Sequence, residues 1–245
     1  MESKTRLDLL LVARGLAGSR EEAQRLILAG EVRIGDRPAR KPSEALASDA
    51  KVAVGARPRF VSRGGDKLAG ALDAFGLDVA GWVALDVGAS TGGFTDCLLS
   101  RGAIRVYAID VGYGQLDWRL RQDPRVVVIE RQNVRRLLPE AIPEPIALAV
   151  VDVSFISLRL VLPPVCRSLA SPAAVVALVK PQFEVGKGKV GKGGVVREPL
   201  LHQEAVEGVR RAAAALGLVE RGFAESALRG PKGNREFFLY WVTES

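Results

Sequence analysis

The chain has 245 residues, 48% of them hydrophobic, a length that admits one large α/β domain plus something small. No apolar run approaches the ~18 residues of a spanning helix, which excludes a membrane protein built from apolar helices, and the formal charge of +7 points to an anionic partner without identifying it. Cys97 and Cys166 lie among apolar residues with no ligand spacing to the one histidine, His202, so buried thiols are expected, with neither a disulfide nor a metal site.

The charge excess is uneven: residues 1 to 60 hold 12 Lys+Arg against 8 Asp+Glu, a net +4. The N-terminus is therefore the first place to look for nucleic acid. Leu9-Leu10-Leu11-Val12 is too short for a signal-peptide core, and no cleavage-like site follows it, so a cytoplasmic protein is expected. The pattern from Arg6 to Ala13 is helical and stops at Gly15. Ser19 is placed to cap a second helix, with Glu22 completing a capping box and Ala23, Leu26 and Ile27 forming its apolar stripe up to Gly30. Val32-Arg33-Ile34, before Gly35-Asp36, and Lys51 to Val54 read as short strands.

This leaves Arg6, Arg14, Ser19, Arg20, Arg25, Arg33 and Lys41 on polar surfaces, which charge alone reads equally as a solvated face, since Glu21, Glu22 and Asp36 are interspersed. The residue order adds to this. Arg-Leu-Asp, Gly-Leu-Ala-x-Ser-Arg, Ala-x-x-Leu-Ile-x-x-Gly and Val-x-Ile-Gly-Asp resemble the small RNA-binding domain shared by ribosomal small-subunit protein four, pseudouridine synthases and tyrosyl-tRNA synthetases. The resemblance implies that Arg6, Ser19, Arg20, Arg25 and Lys41, with Arg14 beside them, face RNA. Residues 1–56 are assigned to this domain and 57–61 to a linker, leaving 62–245 as the second domain.

The second domain opens with a helix carrying Lys67 in its first turn and Leu68, Leu72 and Phe75 on one face. Val83 to Asp86 is short enough for a buried strand, and it passes through Gly88-Ala89-Ser90-Thr91-Gly92-Gly93 into a helix bearing Phe94, Cys97, Leu98 and Leu99. Glycines at 88, 92 and 93 let the backbone turn sharply and approach a ligand, although such a turn also serves tight packing. The spacing fits neither the dinucleotide nor the triphosphate motif. Val106 to Ile109 ends in Asp110, where a doubly wound sheet places the acid that grips ribose hydroxyls, so a nucleoside-containing ligand is expected.

Val126–Ile129, 146–151 and 174–179 continue the strands, the first followed by Gln132 and Asn133 in position to meet a base edge. Helices are expected near Leu116–Leu120, over 158–169 and over 202–216, and the alternation argues for a parallel sheet covered on both faces. Residues 185–196 form a Gly/Lys loop, read as a basic lid meeting phosphates or equally as solvated linker; Lys187 and Lys189 in it, and Arg63 ahead of Lys67, are further RNA-facing candidates. Phe223 to Ala227 and Glu236 to Val242 close the sheet as an antiparallel hairpin. The fold class is α/β, a doubly wound, seven-stranded, mostly parallel sheet with a small N-terminal α+β domain.

Asp152 and Lys180 fall at the carboxyl ends of neighbouring strands, Lys67 on the helix entering the sheet and Glu236 at the start of the last strand. The segments Asp86 to Thr95, Asp152 to Phe155, Leu178 to Glu184 and Asn234 to Phe238 resemble the S-adenosylmethionine domain of FtsJ-type RNA 2′-O-methyltransferases. With the N-terminal domain, the chain is similar to the TlyA family, often labelled hemolysin A.

That resemblance implies methylation of cytidine 2′-hydroxyls in 16S and/or 23S ribosomal RNA and a catalytic tetrad of Lys67, Asp152, Lys180 and Glu236. The sulfonium of S-adenosylmethionine is already a reactive donor, so no metal is expected, and no obligate protein partner is evident. The expected cofactor site is Asp86, Gly88, Ser90, Thr91, Gly92, Gly93, Phe94, Asp110 and Asn133. Lys180 is the expected base, with Asp152 directing it and Glu236 orienting Lys67 and the ribose. A base N-methyltransferase would carry Asp/Asn-Pro-Pro-aromatic where Asp152-Val153-Ser154-Phe155 stands. An RNA-binding protein with an inactive enzyme domain and a membrane-active protein are the remaining alternatives; the second lacks an insertion segment.

Overall fold

The computed structural model describes residues 4–35, 37–55 and 59–244, with the side chains of Pro139 and Lys187 outside the description. The chain divides into two units, Met1–Arg59 and Phe60–Ser245.

In the first unit β1 (Lys4–Arg6) runs into α1 (Leu7–Ala13), and α2 (Arg20–Leu28) follows. Ser19 caps α2 by accepting from the Glu22 amide at 3.1 Å, while the Glu22 carboxylate reaches back to the Gly18 amide at 2.7 Å. The reciprocal cap ties down two of the amides that a helix start leaves unpaired. Four short strands follow: β2 (Val32–Ile34), β3 (Arg37–Pro38), β4 (Ala45–Ala47) and β5 (Val52–Val54). Strands β3, β2 and β5 form one antiparallel sheet, and β4 pairs with β1. Leu7, Leu11, Ala23, Ile27 and Val32 fill the core between helices and strands. Strands β1, β3 and β4 lack the run of β-branched residues that made β2 and β5 readable.

The second unit begins earlier than composition predicts. Phe60 is buried against Gly65 and the Val61 amide donates to Asp96 at 2.8 Å, so these two residues belong to the unit rather than to a linker. Residues 57 and 58 of the expected linker lie outside the described residues. Helix α3 (Arg63–Phe75) leads to β6 (Val83–Val87), α4 (Gly93–Ser100), β7 (Arg105–Ile109), α5 (Trp118–Arg121) and β8 (Val126–Ile129). Then come β9 (Ile146–Val151), α6 (Leu158–Cys166), β10 (Leu169–Val179), α7 (Pro181–Glu184), α8 (Pro199–Ala214), β11 (Leu218–Glu225) and β12 (Phe237–Thr243). Lys67 sits in the second turn of α3, not the first. Strand β10 starts five residues before the predicted position, because α6 stops at Cys166.

The seven strands are ordered β11-β12-β10-β9-β6-β7-β8, with β12 antiparallel to both neighbours and the pairs from β10 to β8 parallel. Successive strand residues face opposite sides. Val175, Ala177 and Val179 therefore pack with α6 and α8, whereas Ala174, Val176 and Leu178 pack with α3 and α4. Both faces are covered, which is why these strands are apolar without alternation. The chain leaves β6 towards β7 on one side and returns as β9 on the other, and a doubly wound sheet opens its ligand crevice at that reversal. Cys97 is buried, whereas Cys166, expected to be buried, is partly exposed.

Candidate active site

The turn after β6 is held from both sides. The Gly88 amide donates to the Ile109 carbonyl at 2.9 Å, and the Asp152 amide donates to the Val87 carbonyl at 2.9 Å. Gly88 has φ +87°, and a Cβ there would collide with the Asp152 carbonyl oxygen, so both backbone angle and space require glycine. Gly93 opens α4 where a Cβ would strike Ser62 and Gly65 of α3's first turn.

Asp110 stands at the end of β7, accepting the Ser90 amide at 2.8 Å and the Gly112 amide at 2.6 Å. It thereby fixes Ser90 in its left-handed conformation, φ +49°. Two expected ligand contacts lie elsewhere. Gly92 faces Leu116 and Leu120 rather than the crevice. Asp86 is fully buried and accepts from the Thr95 hydroxyl at 2.7 Å, bracing the first turn of α4 from beneath. Burial pushes its carboxyl up to about 7, the Thr95 bond opposing this and the Asp152 charge adding to it.

Two adjoining cavities of about 780 and 1140 Å³ open above this turn and share Gly88, Ser90, Asp152 and Phe155. The larger runs between Asp110 and Asn133; the smaller holds Lys67, Lys180, Glu236 and Arg63, with Thr91, Gly93 and Phe94 on its wall. Asn133 uses its side-chain oxygen to accept the Arg135 amide at 3.1 Å.

Lys67, Asp152, Lys180 and Glu236 come together as two ion pairs in the smaller cavity. Lys67 Nζ lies 2.5 Å from Glu236 Oε2, both side chains buried. Lys180 Nζ lies 2.6 Å from Asp152 Oδ1 and donates to Ser154 Oγ at 3.0 Å. The Lys180–Asp152 approach is an ion contact rather than an aligned hydrogen bond, since Asp152 Oδ1 lacks a hydrogen-bond partner by geometry. Gly230 abuts Glu236 Oε1, which has no hydrogen-bond partner either. Sequence reasoning missed Ser154 as a functional residue, and its only signal was its place two residues after Asp152. Phe155 beside it is 91% exposed at φ +64°, its ring 5.1 Å from that of Phe183. A bulky residue held there in a left-handed conformation and turned to solvent stores backbone strain of a kind that concentrates at active sites and ligand clamps. Among the described residues no group of His, Cys, Asp and Glu could hold a metal ion.

The Gly/Lys loop is laced down at its end. Asn234 donates to the Gly194 carbonyl and accepts the Val196 amide, each at 2.9 Å, and His202 Nε2 lies 2.9 Å from the Val196 carbonyl. Lys189 contacts both carboxylate oxygens of Glu204, at 2.5 and 2.7 Å, and the Lys187 side chain lies outside the description.

In the first unit, buried Asp8 gathers Arg6 at 2.8 and 3.0 Å, Arg20 at 3.1 Å and Gln24 at 3.1 Å. Arg14 bonds the carbonyls of Ala50 and Ser48, and Ser19 is the α2 cap. Arg25, Lys41 and Arg63 are exposed.

A seven-stranded sheet with one antiparallel strand, a glycine turn at the reversal and an acid at the next carboxyl end define the methyltransferase class of α/β enzymes. The magnesium protoporphyrin IX methyltransferase of Synechocystis with bound SAM shares this fold, with a TM-score of 0.51 at 14% identity over 74% of this chain and 78% of that one. The FtsJ-like methyltransferase family matches residues 60–242 and the S4 domain matches residues 5–52. The chain belongs to the FtsJ-like methyltransferase family.

The 16S/23S rRNA (cytidine-2'-O)-methyltransferase TlyA of Mycobacterium tuberculosis is 53% identical over 247 residues, covering 100% of this chain and 92% of that protein. Hemolysin A of Brachyspira hyodysenteriae is 38% identical over 97% of this chain and 99% of its own length. A solved structure from Streptococcus thermophilus carrying a hemolysin label is 41% identical, with a TM-score of 0.77 over 100% of this chain and 90% of that one. No helix among the described residues is long and apolar enough to cross a membrane.

Proposed function

We propose that this protein transfers a methyl group from S-adenosylmethionine to the 2′-hydroxyl of a cytidine in ribosomal RNA, acting in the cytoplasm. The observation that carries this reading is the meeting of Lys67, Asp152, Lys180 and Glu236 in one cavity beside the glycine turn. The cofactor fits the larger cavity, whose wall runs from the turn at Gly88 and Ser90 to Asp110, which stands where ribose hydroxyls are gripped. Once bound, the sulfonium supplies an electrophilic methyl group, so the chain's own work is to align and deprotonate the hydroxyl.

Lys180 acts in its neutral amine form, having first lost a proton to solvent: Nζ accepts the hydroxyl proton as the methyl carbon exchanges its bond to sulfur for one to oxygen, and Asp152 stabilises the ammonium that is restored. Ser154 fixes the direction of Nζ from its other side. Glu236 holds Lys67 in line to orient the ribose, and such alignment is worth orders of magnitude in rate. The exposed Phe155 ring offers a flat apolar face for the target base. The S4 domain match and the TlyA relative favour ribosomal RNA as substrate, and the basic side chains of the N-terminal unit supply the grip. Arg6 and Arg20 reach its surface from the Asp8 anchor, with Arg25 and Lys41 exposed.

Mass-spectrometric mapping of 2′-O-methyl groups in rRNA, with and without the protein, tests the reading. A new methylcytidine is expected, and its absence overturns the function. Lys180→Ala is expected to abolish transfer while cofactor affinity stays within about 3-fold, roughly 0.6 kcal/mol; full activity in that variant removes Lys180 as the base.

A further inference from the structure

The loop after β9 carries Asp152, Ser154 and Phe155, and the turn after β10 carries Lys180 and Phe183. Strands β9 and β10 pair in parallel up to Val151 and Ala177, and beyond that pairing side-chain bonds join the two segments. At one end they meet through Lys180 and Asp152, 2.6 Å apart. At the other end they meet through Glu184, 8% exposed and 26 to 27 residues away along the chain. Its carboxylate accepts from Ser157 Oγ at 2.6 Å and from the Leu158 amide at 2.8 Å, and its carbonyl accepts Arg159 Nη2 at 3.0 Å. The catalytic loop is thus pinned at both ends by the same five-residue turn.

We infer that Glu184 is a positioning residue for methyl transfer, fixing the loop that carries Asp152, Ser154 and Phe155 against the turn that carries Lys180. The inference rests on the methyl-transfer reading. Ser157 caps α6 by accepting the Arg159 amide at 3.2 Å, and Glu184 takes a second start amide, that of Leu158, from the segment after the neighbouring strand β10. The cap from Glu184 therefore also ties the two segments together. Phe155 lies between the two pins in a left-handed conformation that an untied loop would relax. Burial pushes the Glu184 carboxyl up, while the Ser157 and Leu158 bonds and the Arg159 guanidinium, with Nε 3.6 Å from Oε2, favour its charged form.

Steady-state methyl transfer to ribosomal subunits by the full chain, with cofactor affinity and thermal midpoint measured alongside, tests this in Glu184→Ala, Glu184→Gln and Glu184→Asp. Misplacement of about 1 Å costs up to about 100-fold in rate. Glu184→Ala is therefore expected to lower kcat by about 10- to 100-fold, leaving KM and cofactor affinity nearly unchanged. Gln spans the same distance and can still accept from Leu158, but its amide replaces the acceptor of the Ser157 hydroxyl and removes the charge 3.6 Å from Arg159 Nε, so Glu184→Gln is expected to restore kcat only in part. Asp keeps the charge but falls short by one methylene, and is expected to stay slower than wild type.

Should Glu184→Ala fail to fold, Glu184→Asp decides: wild-type kcat in that variant overturns the tie, as does wild-type kcat in a folded Ala variant or a loss of cofactor affinity in step with kcat. A wild-type protein that transfers no methyl group removes the methyl-transfer reading and the inference with it, whereas an active wild type confines any failure to the tie.

Discussion

Lys67 and Glu236, 169 residues apart along the chain, meet as a buried ion pair at 2.5 Å. The pair joins the helix that precedes the sheet to the last strand of the sheet, so it closes the site across the whole catalytic unit. Removing one partner leaves a buried charge uncompensated, which costs about 3–5 kcal/mol. Glu236→Ala is expected to lose that much stability in denaturant unfolding, together with methyl transfer. The double variant Lys67→Met, Glu236→Leu is expected to regain stability without regaining activity, separating the structural from the catalytic role.

Gly88→Ala tests the turn. The substitution puts a Cβ against the Asp152 carbonyl oxygen at a backbone angle of φ +87°. The left-handed conformation alone costs roughly 1–2 kcal/mol. Cofactor affinity measured by titration calorimetry is expected to fall at least about tenfold, the equivalent of 1.4 kcal/mol. An unchanged affinity would mean that the turn does not approach the cofactor.

The Asp86 carboxyl is raised by burial from 3.8 to about 7 in the folded protein. Between those values the folded state holds more protons than the unfolded one, so this group's contribution to stability falls as pH rises through the window and levels off above it. Asp86→Asn keeps an acceptor for Thr95 without the charge. At pH 8 the variant is expected to melt at least about 2–4 °C above wild type, the shift produced by 1 kcal/mol in a domain of this size. The difference should vanish near pH 4, and scanning calorimetry across pH measures it.

Asp8 runs the other way. The Arg6 guanidinium, helped by Gln24 and Arg20, holds its carboxyl well below the ordinary 3.8, against the opposing effect of burial. Its stabilisation is fully present above that value and is lost as pH falls below it. Asp8→Asn is expected to cost the N-terminal unit about 1–3 kcal/mol at pH 7, as charge-assisted hydrogen bonds are lost. The cost should shrink on acidification, measured as the midpoint of urea unfolding at successive pH values.

Much of this site is legible in the order of the amino acids. Continuous apolar runs alternating with helical periods imply a parallel sheet covered on both faces, because a strand buried on both sides has no polar face to display. Position at the carboxyl ends of such strands singles out Asp110, Asp152 and Lys180, since that is where a doubly wound sheet opens its crevice. The Ser19 and Glu22 cap is also readable, being a local arrangement within four residues.

What the tertiary structure alone decided were relationships between segments far apart in the chain. Asp86 and Asp110 look alike in sequence, each an acid ending an apolar run, yet one is sealed beneath α4 and the other faces the cavity. Arg6 and Arg20 read as free surface cations until Asp8, itself buried, is seen to hold both. Ser154 and Glu184 carried no periodicity to find them, because their roles come from distance to Lys180 and to α6, brought close by the pairing of β9 with β10. A sequence specifies local conformation and burial pattern through propensity and period; which buried charge meets which partner is fixed only when distant strands and helices pack together.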